Sequence, residues 1–204
     1  MLQRTPEWFE ARLGKVRSSR IVDVMAELAD KKKEAITRRN FRRELALERV
    51  YKTNQESGYM SFAMQEGIRK ESTARDAYAF AKGVNIEEVG FIIHPEIKDA
   101  GASPDGLIGK DGLVEIKCPE ANAMFEMLVK LPLDRKYVYQ AQWQLACTGR
   151  QWVDVVFYRE GCPLEIIPLV RDSEHIAELE IAVRQFLAEV ESDVRLLQER
   201  QKWR

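Results

Sequence analysis

The chain has 204 residues, 45% of them hydrophobic and 32% charged, which argues against disorder and leaves room for one sizeable core. Its formal net charge of −1 argues against a general nucleic-acid coat, although basic residues gathered on one face and acids gathered at a metal would still suit a nuclease. The cysteines Cys118, Cys147 and Cys162 are odd in number and form no Cys-x-x-Cys pair, and His94 and His175 are the only histidines, which disfavours a disulfide framework, a zinc site and a His-based metal cluster. No apolar run reaches membrane-spanning length, and residues 1–6 lack a signal peptide's apolar core. The expectation is a cytoplasmic protein with reduced thiols and no membrane partner.

Thr5-Pro6-Glu7 is a helix start, with Thr5 as N-cap and Pro6 at the first helical position, and Gly14 ends the helix that carries Trp8, Phe9, Arg12 and Leu13. Trp8 and Phe9 are expected in the core. Ser18 or Ser19 then caps a second helix with an apolar stripe of Ile21, Val24, Met25 and Leu28. A helix start offering a hydroxyl and N–H groups near Arg12 is one way to hold a phosphate. Lys31, Lys32, Lys33, Arg38, Arg39, Arg42 and Arg43 form the longest basic cluster. It reads either as a solvated helix face balanced by Asp30, Glu34 and Glu44, or as a track for a nucleic-acid backbone. That helix runs on to Tyr51 and ends in a polar loop over 52–58.

The next helix spans about 61–82 and sets Gly67, Glu71, Ala74, Arg75 and Tyr78 on one side, so that Glu71 is either a functional acid or a surface partner of Arg75. Strands are expected at Val89–Ile93, Ala100–Asp105 and Leu113–Lys117, with a hairpin turn at Gly109-Lys110-Asp111-Gly112. Alternation along the third strand puts Glu115 and Lys117 on one face, and the hairpin brings Asp105 to them. Two hard carboxylates at one point suit Mg²⁺ or Mn²⁺, and a lysine beside them can orient a water. The plainer reading makes Glu115 and Lys117 a solvated strand edge and leaves Asp105 to a turn. Against it stand the Pro104-Asp105 pair, the apolar Leu113, Val114 and Ile116, and the abrupt stop at Cys118-Pro119.

A helix opened by Pro119 carries Ala123, Met124, Met127 and Leu128 and breaks at Leu131-Pro132. Another begins near Asp134, holds Tyr137, Gln140, Ala141, Gln144 and Leu145 on one face, and meets a C-cap at Gly149. A hairpin of Trp152–Tyr158 with Glu165–Val170 follows, and then a long helix over about 172–201 with a stripe from Ile176 to Leu197, read as core. This order fits one α+β domain over 1–204, in which a mixed central β-sheet is flanked by α-helices, and it does not fit a regular βαβ array.

Ser103-Pro104-Asp105-Gly106-Leu107 followed by Glu115-Ile116-Lys117-Cys118-Pro119 resembles the PD-(D/E)xK nucleases, and in particular the phage lambda exonuclease and YqaJ-type recombinase family. The resemblance covers nearly the whole chain and implies a restriction-endonuclease-like core over about 61–170. Helices 5–52 would bind the DNA end, although the 31–60 segment departs from the family in length and composition. It implies Asp105 bridging two Mg²⁺ ions, Glu115 and the carbonyl of Ile116 on one of them, and Lys117 acting on the attacking water. Glu71, through Gly-x-x-x-Glu, and Gln140 with Tyr137, through Tyr-x-x-Gln-x-Gln, would adjoin them. Arg12, Ser19 and Ser103 would bind a 5′-phosphate, and Arg38 and Arg42 in the basic segment could follow the DNA backbone. Met64 matches an apolar wedge between separating strands, or is core. The activity implied is processive 5′-to-3′ exonuclease digestion of double-stranded DNA by a homotrimeric ring of phage or prophage origin, partnered by a single-strand annealing protein. A site-specific endonuclease of the same fold and a non-catalytic DNA-end-binding protein are the alternatives.

Overall fold

The computed structural model describes residues 2–27, 34–55, 62–129 and 132–202, with the backbone alone for 62–68. Five strands form the main sheet in the order β2 (Ile86–Glu87), β5 (Gly106–Ile108), β6 (Gly112–Lys117), β7 (Trp152–Phe157) and β8 (Glu165–Val170). The β6–β7 pair is parallel and the other pairs are antiparallel, so the sheet is mixed. Pro168 lacks a backbone N–H and sits in β8, the edge strand, where a missing donor is tolerated. A smaller sheet orders β1 (Val16–Arg17), β4 (Ala100–Ala102) and β3 (Ile92–Ile93).

Helices cover both faces of the main sheet. On one face Leu113, Val153, Val155 and Phe157 join a core with α2 (Ile21–Val24), α3 (Ile36–Tyr51), α6 (Arg135–Thr148) and α7 (Ser173–Gln201). On the other, Ile108, Val114, Ile116 and Val156 pack against Ala74 and Tyr78 of α4 (Phe62–Lys82). Period-two alternation is what splits β6 between the two cores. It leaves Glu115 and Lys117 on the α6 side, with α5 (Ala121–Val129) following the strand. Asp134 caps α6 by accepting from Lys136 N, and Gly149 ends it with φ 71°. The α7 stripe from Ile176 to Val194 is buried, as its spacing predicts.

Three expectations are corrected. Val89–Ile93 is not one strand, because only Ile92–Ile93 pair, as β3, and 88–91 belong to neither sheet. The strand expected to reach Asp105 ends at Ala102. Pro104 has no N–H for a ladder, and the hairpin partner of β6 is instead β5, which starts at Gly106. A Cβ at Gly106 would lie 2.1 Å from Ile86 Cγ2, so only glycine lets β5 pass that close to β2. Neither Ser18 nor Ser19 caps α2: Ser18–Arg20 form a 3-10 turn with no side-chain cap, which leaves Ser19 exposed.

Candidate active site

The centre of the site is built on β6, which has a hydrogen-bonded neighbour on each side. Asp105, in the turn between β4 and β5, accepts from Ile116 N–H through Oδ2 at 2.6 Å. This bond docks the turn onto the middle of the strand. Glu115 is buried, and Oε1 accepts from Lys117 Nζ at 2.6 Å and from Gln140 Nε2 at 2.6 Å. Its Oε2 accepts from Gln144 Nε2 at 2.5 Å. Gln140 Oε1 accepts in turn from Lys117 Nζ at 3.1 Å, which closes a triangle of carboxylate, ammonium and amide. Glu71, on α4, pairs with Arg75 at 3.1 Å and with Arg4 at 2.5 Å.

These groups open into one cavity of about 400 Å³ that Arg12, Ser19 and Ser103 also line. Trp8 organises that rim. Its Nε1 donates to Ser103 Oγ at 2.9 Å, and the Arg12 guanidinium lies over its ring at 3.7 Å. Tyr137 stands beside the centre, its ring 5.9 Å from Lys117 Nζ and edge-on to Phe157.

Burial pushes the Asp105 carboxyl well above the usual carboxylate range, and the charges of Glu115 and Glu71 push the same way against the weaker pull of Lys117 and Ile116 N–H. Burial opposes the Lys117 charge too, but Glu115 and Asp105 outweigh it and hold the ammonium above the ordinary lysine range. The site therefore concentrates more negative charge than its lysine neutralises. Cys118 is no nucleophile, because burial raises its thiol to about 11.

The YqaJ-like viral recombinase domain matches residues 7–151. The chain belongs to that family. The alkaline exonuclease LHK-Exo from Laribacter hongkongensis is 40% identical over 97% of this chain and 98% of its own, with a TM-score of 0.88. A crystal structure of LHK-Exo in complex with dAMP superposes with a TM-score of 0.89 at the same identity and coverage. A phage-related exonuclease from Haemophilus somnus 129PT shares the fold at a TM-score of 0.66, with 16% identity over 91% of this chain and 96% of its own. No curated protein matches the chain. Kinship with LHK-Exo and the YqaJ-like family assigns the enzyme class, an exonuclease and hence a hydrolase.

Within this YqaJ-like chain, Asp105, Glu115, Ile116, Lys117, Gln140, Glu71, Arg12, Ser19 and Ser103 all reach the one cavity. Arg38 and Arg42 do not. Arg38 pairs with Glu34 at 2.9 Å and Glu189 at 2.6 Å, and Arg42 with Glu34 at 3.2 Å and with Asp193. The two guanidiniums fasten α3 to α7 through these carboxylates. Lys31, Lys32 and Lys33 lie outside the described residues, as does the side chain of Met64. Sequence reasoning missed Gln144 as a site residue, although it follows Gln140 by one helical turn. It also missed Gln3, Arg4 and Arg17 on the cavity wall, and nothing in their local pattern points there.

Proposed function

We propose that this exonuclease digests double-stranded DNA from 5′ ends in a Mg²⁺-dependent reaction that leaves 3′ single strands for annealing. The observation that carries the reading is the single cavity joining Asp105, Glu115 and Lys117 to Arg12, Ser19 and Ser103. A cleavage centre next to an anion-binding rim can hold a terminal phosphate while the adjoining phosphodiester is cut. LHK-Exo is known in complex with dAMP, a nucleotide that carries the same phosphate chemistry.

The donor set fits Mg²⁺, with Mn²⁺ as a substitute. Asp105 and Glu115 offer hard carboxylate oxygens and Ile116 offers its carbonyl, and the burial and neighbouring carboxylates that raise the Asp105 carboxyl are what a divalent cation would offset. Among the described residues no group of three His, Cys, Asp or Glu side chains is gathered for a metal, and Glu115 accepts from Lys117, Gln140 and Gln144. When bound, two such ions would activate the attacking water and offset charge on the leaving 3′-oxygen. Lys117, held as an ammonium, orients the water and stabilises charge at the phosphate. Gln140 keeps Lys117 and Glu115 in register by bonding to both. A homotrimeric ring and a single-strand annealing partner complete the proposal, on the strength of the family alone.

The test is digestion of linear duplexes labelled at either end, with Mg²⁺ or EDTA. Mononucleotide release from the 5′-labelled strand, with Mg²⁺ only, is expected, and Lys117→Ala should bind DNA while cleaving at least about 10²-fold more slowly. Release beginning at 3′ ends, or in EDTA, refutes the reading.

A further inference from the structure

Arg4 is held at the mouth of the cavity by the residues on either side of it. Gln3 Nε2 donates to the carbonyl of Pro104 at 2.8 Å, next to Asp105. Thr5 Oγ1 donates to Leu2 O at 3.1 Å and accepts from Trp8 N at 3.3 Å, fixing the start of α1 (Pro6–Arg12). Between these anchors Arg4 takes φ 66°, a left-handed conformation that a residue with a Cβ keeps only where its surroundings impose it. The result is a guanidinium aimed at Glu71, with Arg4 itself lining the same cavity as the catalytic groups.

The Arg4–Glu71 pair is poorly suited to a purely structural role. The Arg4 side chain is 42% exposed, and a pair so open to water stabilises a fold little. Glu71 also has a second cation, Arg75, which is 15% exposed and stays if Arg4 leaves. Lys117 is hydrogen-bonded to Glu115 and Gln140. Arg4 is therefore more readily exchanged than Arg75 or Lys117.

We propose that Arg4 is a substrate-positioning residue: DNA entering the cavity takes its guanidinium from Glu71 onto a backbone phosphate. A guanidinium gains by that exchange, because phosphate accepts two parallel N–H bonds and carries the charge that the entering strand must have offset. The exchange also frees Glu71 Oε2 from Arg4 while Arg75 stays paired with Oε1. The inference rests on the nuclease reading and deepens it.

The experiment compares wild type, Arg4→Gln and Arg4→Lys binding to a 5′-phosphorylated blunt duplex by fluorescence anisotropy. Ca²⁺ at fixed concentration replaces Mg²⁺, and KCl is varied. Arg4→Gln should bind about tenfold more weakly at low salt, with a log K against log salt slope shallower by about 0.9, the signature of one lost phosphate contact. Arg4→Lys should keep the slope. In Mg²⁺, Arg4→Gln should raise KM more than it lowers kcat, while its melting temperature stays within about 2 °C of wild type. An unchanged slope, or tighter binding by Arg4→Gln, overturns the proposal. Wild type that neither binds nor digests DNA ends would instead overturn the nuclease reading beneath it.

Discussion

Asp105→Asn should abolish cleavage and yet make the metal-free protein more stable. Asp105 is part-buried in the cavity wall, and burial together with Glu115 and Glu71 raises its carboxyl well above the ordinary carboxylate range. A group with a raised folded-state pKa contributes stability that is complete below its unfolded value of about 3.9 and is lost as pH rises through the folded value. The ionised side chain is therefore a growing liability toward alkaline pH when no cation is bound. Asparagine has the same shape, can still accept from Ile116 N–H, and carries no charge. Each tenfold rise in the carboxyl's proton affinity on folding is worth about 1.4 kcal/mol. At about 2–4 °C per kcal/mol for a chain of this length, that is about 3–6 °C in Tm. Thermal melts followed by circular dichroism in EDTA at pH 4.5 and pH 8 measure it, and the gap between variant and wild type should be wider at pH 8. Added Mg²⁺ should raise the wild-type Tm and leave Asp105→Asn nearly unmoved. If Asp105→Asn melts at or below wild type at both pH values, the picture of an over-charged centre awaiting a cation is wrong.

Arg12→Ala should slow digestion of 5′-phosphorylated ends by roughly 10- to 100-fold, the equivalent of about 1.5–3 kcal/mol for hydrogen bonds to a charged group, and spare 5′-hydroxyl ends. Equal slowing on both ends removes the phosphate pocket. Arg38→Ala should lower the guanidinium chloride midpoint by loosening α3 from α7, with the salt slope of DNA binding unchanged; a shallower slope would return Arg38 to the DNA track. His94 should make the protein acid-sensitive. Its Nδ1 accepts from Glu96 N–H and Ile97 N–H, each at 3.2 Å, and its ring stacks on Trp143 at 5.1 Å. Burial holds its pKa below the ordinary histidine value, helped by Arg184 and opposed by Glu180 and Glu96. Stability is thus present above about pH 6.5 and is lost as pH falls through the folded value. Denaturant midpoints at pH 7.5 and 5.5 should show the loss, and His94→Gln should flatten it.

The parts of the site that were legible in the sequence are those that local period decides. Alternation put Glu115 and Lys117 on one face of β6, whereas Gln140 was placed beside them by the family resemblance and not by its helical spacing. What was not legible depends on contacts distant in sequence. Arg38 meets Glu189, 151 positions away, and only the docking of α7 brings that carboxylate to it. Two-residue strands such as β2 and β3 carry no period, so their separation into two sheets left no trace in composition. Asp105 was placed at a strand end, when it is the break at Pro104 that frees it to turn back onto Ile116.

The placement of the catalytic groups explains how such a centre can be rigid and still admit a moving substrate. Glu115, Ile116 and Lys117 pair with Val155, Val156 and Phe157 of β7, Asp105 accepts from Ile116 N–H on the strand, and the α6 glutamines fix the Glu115 and Lys117 side chains. Their geometry is set before any substrate arrives, which is where electrostatic catalysis gains most. The groups expected to touch the DNA end come from elements with little ladder to hold them: the turn before α1, the helix α1, and the 3-10 turn of Ser18–Arg20. Those elements can adjust to each successive nucleotide while β6 stays still. A substitution at the rim should therefore change which ends are taken and how tightly, and a substitution on β6 should change the rate of the chemical step.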